Sequence, residues 1–301
     1  MTRTLILPPV RPEKASLEIQ WGELRRWARQ YSEVWLALGA LLLILFSVMF
    51  ADHLTIYDPN AGMNLSNRMI PPFWVDGGSI THPFGTDNLG RDVLSRTLHG
   101  GWMSLQVALI ASSIATAIGM GLGIIAGYAG GTIDRVIVGI TDVWISFPFL
   151  VLALAVIAAV GSSPTILVTL LILAGWVHAA RVTRAQVMQI KHYDYVLAAN
   201  AFGATPLHTI RYHILPGVLN MNVVMWTFSV GTLVLIEGSL SFIGLGMSPT
   251  TPSWGNMLSD GRMYLQDAWW MSIFPGLALV LTILSVNALG DALQKLNAGN
   301  F

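Results

Sequence analysis

A polytopic α-helical membrane bundle is the fold class this sequence predicts, on three observations. Apolar residues make up 54% of its 301 positions and charged residues 11%, against about 25% charged in soluble domains. Six apolar segments approach or exceed the ~20 residues a helix needs to cross a bilayer. They fall at 34–50, 102–128, 136–160, 164–180, 218–240 and 268–289. The runs are far too long for barrel strands and lack their alternation. The expected fold is therefore all-α, with six transmembrane helices.

Each element has its own justification. Residues 1–33 form an N-terminal tail; Trp21, Leu24, Ala28 and Tyr31 of the tail and Trp35, just inside the first span, recur at helical spacing beside Arg25, Arg26 and Arg29. That pattern suits an amphipathic helix lying on anionic headgroups. The first span, 34–50, is short. It is read as retained rather than as a cleaved signal, because 33 residues precede it and residues 47–51 make a poor cleavage site. Residues 51–101 and 241–267 are rich in Gly, Pro, Asn and Asp, as surfaces built from turns are. The second span has no charge between Trp102 and Tyr128. Along it Ala111, Ala115, Gly119, Gly123 and Gly127 repeat every fourth residue, a smooth stripe on which another helix can approach closely. Whether that stripe serves a tight intersubunit or gating contact or a static contact within the bundle is left open by spacing alone. Residues 102–290 form the core with five spans, 181–217 its long connecting loop, and 291–301 the tail.

Composition excludes several chemistries. Sixteen basic and sixteen acidic residues sum to zero net charge, so no basic footprint for nucleic acid is present. Cysteine is absent, which removes disulfides, thiolate metal sites and a thiol nucleophile. The three lysines, Lys14, Lys191 and Lys295, follow Glu13, Ile190 and Gln294, so no Gly-Lys phosphate loop exists. No His-Glu-x-x-His helix occurs, and His208 and His213 stand five apart, a spacing that does not stack two ligands on an α-helical face. Gly121-x-Gly123-x-x-Ala126 lies inside a span without a preceding strand and reads as packing. Asp142 and Glu237 are the acids inside spans, candidates for an ion path or solute contact. No basic residue falls in a span as bounded above, so neither acid is expected to have an ion-pair partner there. An intramembrane hydrolase lacks a nucleophile–base pair, since His178 sits at the inner edge of its span.

Orientation follows from the loops. With a cytoplasmic N-terminus, Arg3, Arg11, Lys14, Arg25, Arg26, Arg29, Arg135, Arg181, Arg184, Lys191, Arg211 and Lys295 lie inside. Only Arg68, Arg91, Arg96 and Arg262 lie outside, which satisfies the positive-inside rule with both termini cytoplasmic.

The loop 181–217 carries the clearest functional pattern. Residues 195–204 read as a short helix of small residues with Gly203 as terminator, exposing Leu197 and Phe202 as an apolar knob; the docking candidates are Leu197, Ala198, Ala199, Asn200, Ala201, Phe202, Gly203, Ala204, Thr205 and Pro206. A helix this short is marginal without a partner surface, so docking on another protein is expected. The pattern resembles the E-A-A, three residues, G, nine residues, I-x-L-P loop of bacterial ABC importer permeases. Ala198, Ala199 and Gly203 match its first half, and Ile214, Leu215 and Pro216 its second. Leu197 replaces the usual Glu, and Gly217 a common Asn. The stretch 82–96, with Gly85, Thr86, Asp87, Gly90, Arg91 and Asp92, resembles the segment before the second span of peptide-type permeases. Residues 241–246, 252–258, 274–276 and 290–291 match further segments, while the tail 294–297 departs.

The resemblance covers 82–291 and implies the second-type permease subunit of dipeptide, oligopeptide or nickel importers, with the type I importer fold, in a bacterial inner membrane. It implies a homologous permease, two cytoplasmic ATPase subunits that bind ATP and Mg, and an extracytoplasmic binding protein. This chain itself would then bind no cofactor. Residues 197–206 would be the coupling helix, and Asp87, Arg91 and Asp92 would brace the outer helix ends in preference to touching the binding protein. Peptides lead as solute, with nickel, opines and oligosaccharides as alternatives. An ion-gradient transporter would be the rival class, but it predicts two related halves that are not evident here.

Overall fold

A computed structural model describes residues 32–59, 64–248 and 250–298. The interfacial helix expected before residue 32 lies outside them. The described residues are helical with irregular connections and one isolated β-bridge, Thr86 to Asp92. The helices are α1 Ser32–Met49, α2 Val93–Ala129, α3 Gly131–Ser146, α4 Phe149–Val160, α5 Pro164–Ile190, α6 Asp194–Ala201, α7 Pro206–Phe242, α8 Trp254–Gly261 and α9 Trp270–Ala298.

Local chemistry sets the boundaries. Asp92, Ser163, Thr205 and Ser253 each sit in extended backbone just before a helix, and each side chain accepts a hydrogen bond from a first-turn N–H. Pro164 and Pro206 follow two of these caps at the first helical position, where a missing N–H costs nothing. Gly130 (φ 63°) and Gly131 (φ 56°) adopt left-handed backbone at the α2–α3 corner, with open space where a Cβ would stand.

Among the described residues four helices, α2, α5, α7 and α9, are long and apolar enough to cross a membrane; α1 is apolar but shorter. The span expected as one helix over 136–160 is instead two, α3 and α4, bent by 80°. Pro148 is the cause: it lacks an N–H and drives Phe147 out of helical backbone, to φ −88°, ψ 128°. The six-helix count thus becomes four full spans, one broken pair and one short apolar helix.

The centre of the bundle is the α2–α5 pair, flanked by α7 and α9, with α1 against α9. Leu105, Ala108, Ala111, Leu167, Leu170, Leu171, Leu233, Val234 and Leu240 form its buried apolar core. Helix association in lipid depends on close packing more than on water exclusion, and the glycine stripe supplies it. A Cβ on Gly119, Gly123 or Gly127 would stand 2.4 Å from Trp176 O, 2.6 Å from Ala180 O and 2.8 Å from Arg184 O. The stripe on α2 therefore packs on α5 of the same chain. By contrast α3 and α4 bury only Thr141 and Ala153.

Candidate functional site

At one end of the bundle, α5 runs past the expected limit of 180 to Ile190, and Lys191 Nζ donates to Gly127 O at 2.9 Å. The region 181–217 is therefore mostly helical, and Arg181 and Arg184 lie on α5. The short helix expected over 197–206 occupies Asp194–Ala201 instead. Two features shift it. Gly203 (φ 88°) ends α6, with its own N–H donating to Asn200 O and the Ala204 N–H to Ala199 O, both 3.0 Å. This is the Schellman arrangement, which satisfies orphan carbonyls. Thr205 and Pro206 then begin α7, so 204–206 cannot continue α6.

Val196 anchors α6. It is fully buried among Ile124 of α2, Val187 and Ile190 of α5, and Ile214 and Val218 of α7. Thr209 Oγ1 donates to Asn200 Oδ1 at 2.8 Å, tying the end of α6 to α7. Outward, Phe202 is 92% exposed and Leu207 75%, with Tyr195, Leu197 and Tyr212 also exposed. The base of α7 contains a π turn, Ile210–Ile214, leading into Leu215 and Pro216. The wider turn brings His208 and His213 to a ring separation of 5.9 Å, correcting the expectation drawn from regular α-helical spacing. Val196 has no motif signal in the sequence beyond being the one β-branched residue of this short helix.

At the other end, residues 64–101 fold onto α8 and the start of α9. Asp87 accepts from the Leu89 and Arg91 N–H groups at 2.8 and 2.9 Å and pairs with Arg91 Nε at 2.6 Å. Arg91 also reaches Asp260 at 3.4 Å, and buried Arg96 lies 3.8 Å from Asp87 and 3.9 Å from Asp260. Burial pushes the Asp260 carboxyl up, opposed by Arg96 and Arg91. Asp92 accepts from the Ser95 N–H at 2.7 Å and is hydrogen-bonded to His82 Nδ1 at 3.0 Å. Thr86 is buried and receives the Trp270 indole N–H on its carbonyl at 2.9 Å. A Cβ on Gly85 would stand 2.5 Å from Ile70 O, and one on Gly90 2.0 Å from Asn64 O. Trp254 Nε1 donates to Thr97 O at 2.9 Å, and Asn256 Nδ2 reaches the Met247, Ser248 and Thr251 carbonyls. Asp260 carried no motif signal in the sequence; its role comes from the fold bringing α8 to Arg91 and Arg96.

The two acids expected inside spans differ. Asp142 pairs with Arg181, correcting the expectation of no cationic partner; α5 extends far enough to present that arginine. Asp134 pairs likewise with Arg184. Glu237 is fully buried and its Oε1 accepts from Ser241 at 2.8 Å, while among the described residues its Oε2 has no partner. Glu237 thus lies away from any open surface, whereas Asp142 is exposed.

Residues 119–298 match the family described as the inner membrane component of binding-protein-dependent transport systems. A dipeptide transport system permease protein of Bacillus subtilis is 37% identical over 262 residues, 86% of this chain and 80% of that protein. A di/tripeptide transport system permease protein of Pseudomonas aeruginosa is 36% identical over 261 residues, 86% of each chain. A glutathione transport system permease protein of Escherichia coli is 37% identical over 289 residues, 96% of this chain and 92% of that one. In fold, the chain is similar to the MetNI methionine ABC transporter in an inward-facing conformation. The TM-score is 0.54 at 21% identity, covering 66% of this chain and 95% of that one.

Proposed function

Since the chain belongs to the family of inner membrane components of binding-protein-dependent transport systems, we propose that it imports short peptides as one of two homologous permease subunits. Two cytoplasmic ATPase subunits, holding ATP and Mg, would drive the import, and an extracytoplasmic binding protein would deliver the solute. The peptide assignment leans on relatives named for dipeptides, di- and tripeptides and glutathione. In this reading the α6 end and both termini face the cytoplasm, and residues 64–101 face outward.

The observation that carries the proposal is the exposed knob of Leu197, Phe202 and Leu207, held by buried Val196 at the joined bases of α2, α5 and α7. The knob seats in a groove of one ATPase subunit. Displacement of α6 then reaches three helices through a single packed contact, without a loop to absorb it. The energy comes from contacts that differ between the two states of the ATPase pair. Asp87, Arg91 and Asp92 brace the outer ends of the helices: Asp87 and Arg91 pair with each other and Arg91 with Asp260 of α8, while Asp92 caps α2 and holds His82.

The test is ATP-driven dipeptide uptake in vesicles containing the full complex. Gly203→Asp keeps open space around the side chain but forces an unfavourable backbone, and it is expected to reduce both uptake and ATPase association. Unchanged uptake and association would remove the coupling assignment. Uptake that survives ATP depletion but collapses with an uncoupler would remove the ATP-driven reading altogether.

A further inference from the structure

His178 lies about 18 Å from the Ile190 end of α5, one helical turn before Arg181. Its side chain is exposed, and among the described residues it has no hydrogen-bond partner. A titratable ring is costly in hydrocarbon and is found facing a polar cavity. Such a cavity is present. It measures about 260 Å³ and is lined by His178 of α5, Thr116 of α2, and Ser229 and Thr232 of α7. Three residues further along the same face of α5, Arg181 pairs with Asp142, and these side chains are 46% and 62% exposed. On the other side, an apolar cavity of about 660 Å³ under the α3–α4 bend shares Ala174 and Ile236 with the first. The two adjoining cavities offer an apolar floor, hydroxyls and an imidazole, and one exposed charge of each sign lies a helical turn beyond His178.

We propose that this surface is the solute-contacting wall of the transport pathway, and that it takes a zwitterion bearing a free carboxylate and a free ammonium. The carboxylate is received by the Arg181 guanidinium, whose paired N–H groups match two oxygens. The ammonium is received by Asp142, and His178, Ser229 and Thr232 exchange hydrogen bonds with main-chain amides of the passing solute. The Arg181–Asp142 pair closes on itself when no solute is present, so neither charge is left unpaired. The proposal rests on the importer reading above and deepens it by naming the residues and the charge pattern of the solute.

The chain has no cysteine, so a single introduced thiol reports its own surroundings. In the full complex, His178→Cys and, independently, Ser229→Cys are treated with a small charged thiosulfonate and modification of this chain is read by mass. Leu42→Cys, on the exposed face of α1, is the lipid-facing control. Modification of the first two is expected to be at least about tenfold faster than at the control, since the thiolate and the reagent both need water. Saturating dipeptide with binding protein and ATP is expected to slow it severalfold. Rates equal to the control, or rates indifferent to dipeptide, would overturn the proposal. Arg181→Gln and Asp142→Asn are expected to lower dipeptide uptake about tenfold while binding-protein-stimulated ATP hydrolysis persists, as loss of a charge-assisted contact implies. Unchanged uptake in both would also overturn it. Absence of ATP-driven uptake by the unsubstituted complex would instead count against the importer reading, so the two failures are distinguishable.

Discussion

The two ends of this bundle solve opposite problems with similar residues. At the end formed by 64–101 and α8, the two tryptophans Trp254 and Trp270 and a cluster of charged groups turn inward, while Leu65, Phe73, Trp74 and Ile80 stay exposed. Trp254 and Trp270 spend their indole N–H groups on backbone carbonyls, and Asp87, Arg91, Arg96 and Asp260 face one another. At the α6 end the aromatic and aliphatic side chains turn outward, and Val196 alone among the residues of α6 is buried. The first end pairs its buried charges within the chain; the second presents a surface whose energetic return comes only from a partner.

That contrast can be broken most severely at the closed end. Trp254→Ala should cost about 3–5 kcal/mol by emptying a buried site and losing the indole bond to the Thr97 carbonyl, read as a drop in the unfolding midpoint in detergent. Asp87→Ala should cost about 3–5 kcal/mol, because buried Arg96 and Arg91 lose their nearest carboxylate; Asp87→Ala with Arg96→Met should recover part of that loss. Val196→Ala is intermediate, at about 2 kcal/mol, and should loosen α6 in hydrogen exchange while leaving 64–101 protected. Phe202→Ser sharpens the comparison from the other side: stability should move by less than about 0.5 kcal/mol, yet uptake should fall at least about tenfold if this residue seats in the ATPase.

The smallest effect is a pH dependence. The Asp260 carboxyl sits above its ordinary range through burial, so the folded state binds its proton more tightly than the unfolded chain does. Its contribution to stability is therefore lost as pH rises from the unfolded value through the raised folded value. Asp260→Asn should flatten the stability–pH curve in that acidic window and leave it unchanged near neutrality.

The sequence was most legible where composition alone decides the outcome. The apolar runs of α2, α5, α7 and α9 locate those helices, and the four-residue glycine spacing announced a close helix contact. What stayed hidden depended on pairing across the chain. Arg181 and Arg184 look like the end of a span until Asp142 and Asp134 are found opposite them. The bend at Pro148 was concealed because Phe147, Phe149 and Leu150 keep the run apolar through the break. The π turn at Ile210–Ile214 has no composition signature, so the meeting of His208 with His213 could be seen only in three dimensions. The braced outer end was half visible: the Gly85–Asp92 stretch marked it, but Asp260 joins only through the path of the chain.

The glycine stripe also has a kinematic consequence. Backbone of α5 lies against Gly119, Gly123 and Gly127 at one-turn intervals, so a small slide of either helix drives side chains into the gaps between. The two helices are geared together and must travel as one body. The bent α3–α4 segment has no such gearing. Its joints are Gly130, Gly131 and Gly161, each with open space around it, and it buries only Thr141 and Ala153. The paired helices carry a displacement as one body, whereas the α3–α4 segment can move against them, and it is the part that covers the larger apolar cavity adjoining the one lined by His178.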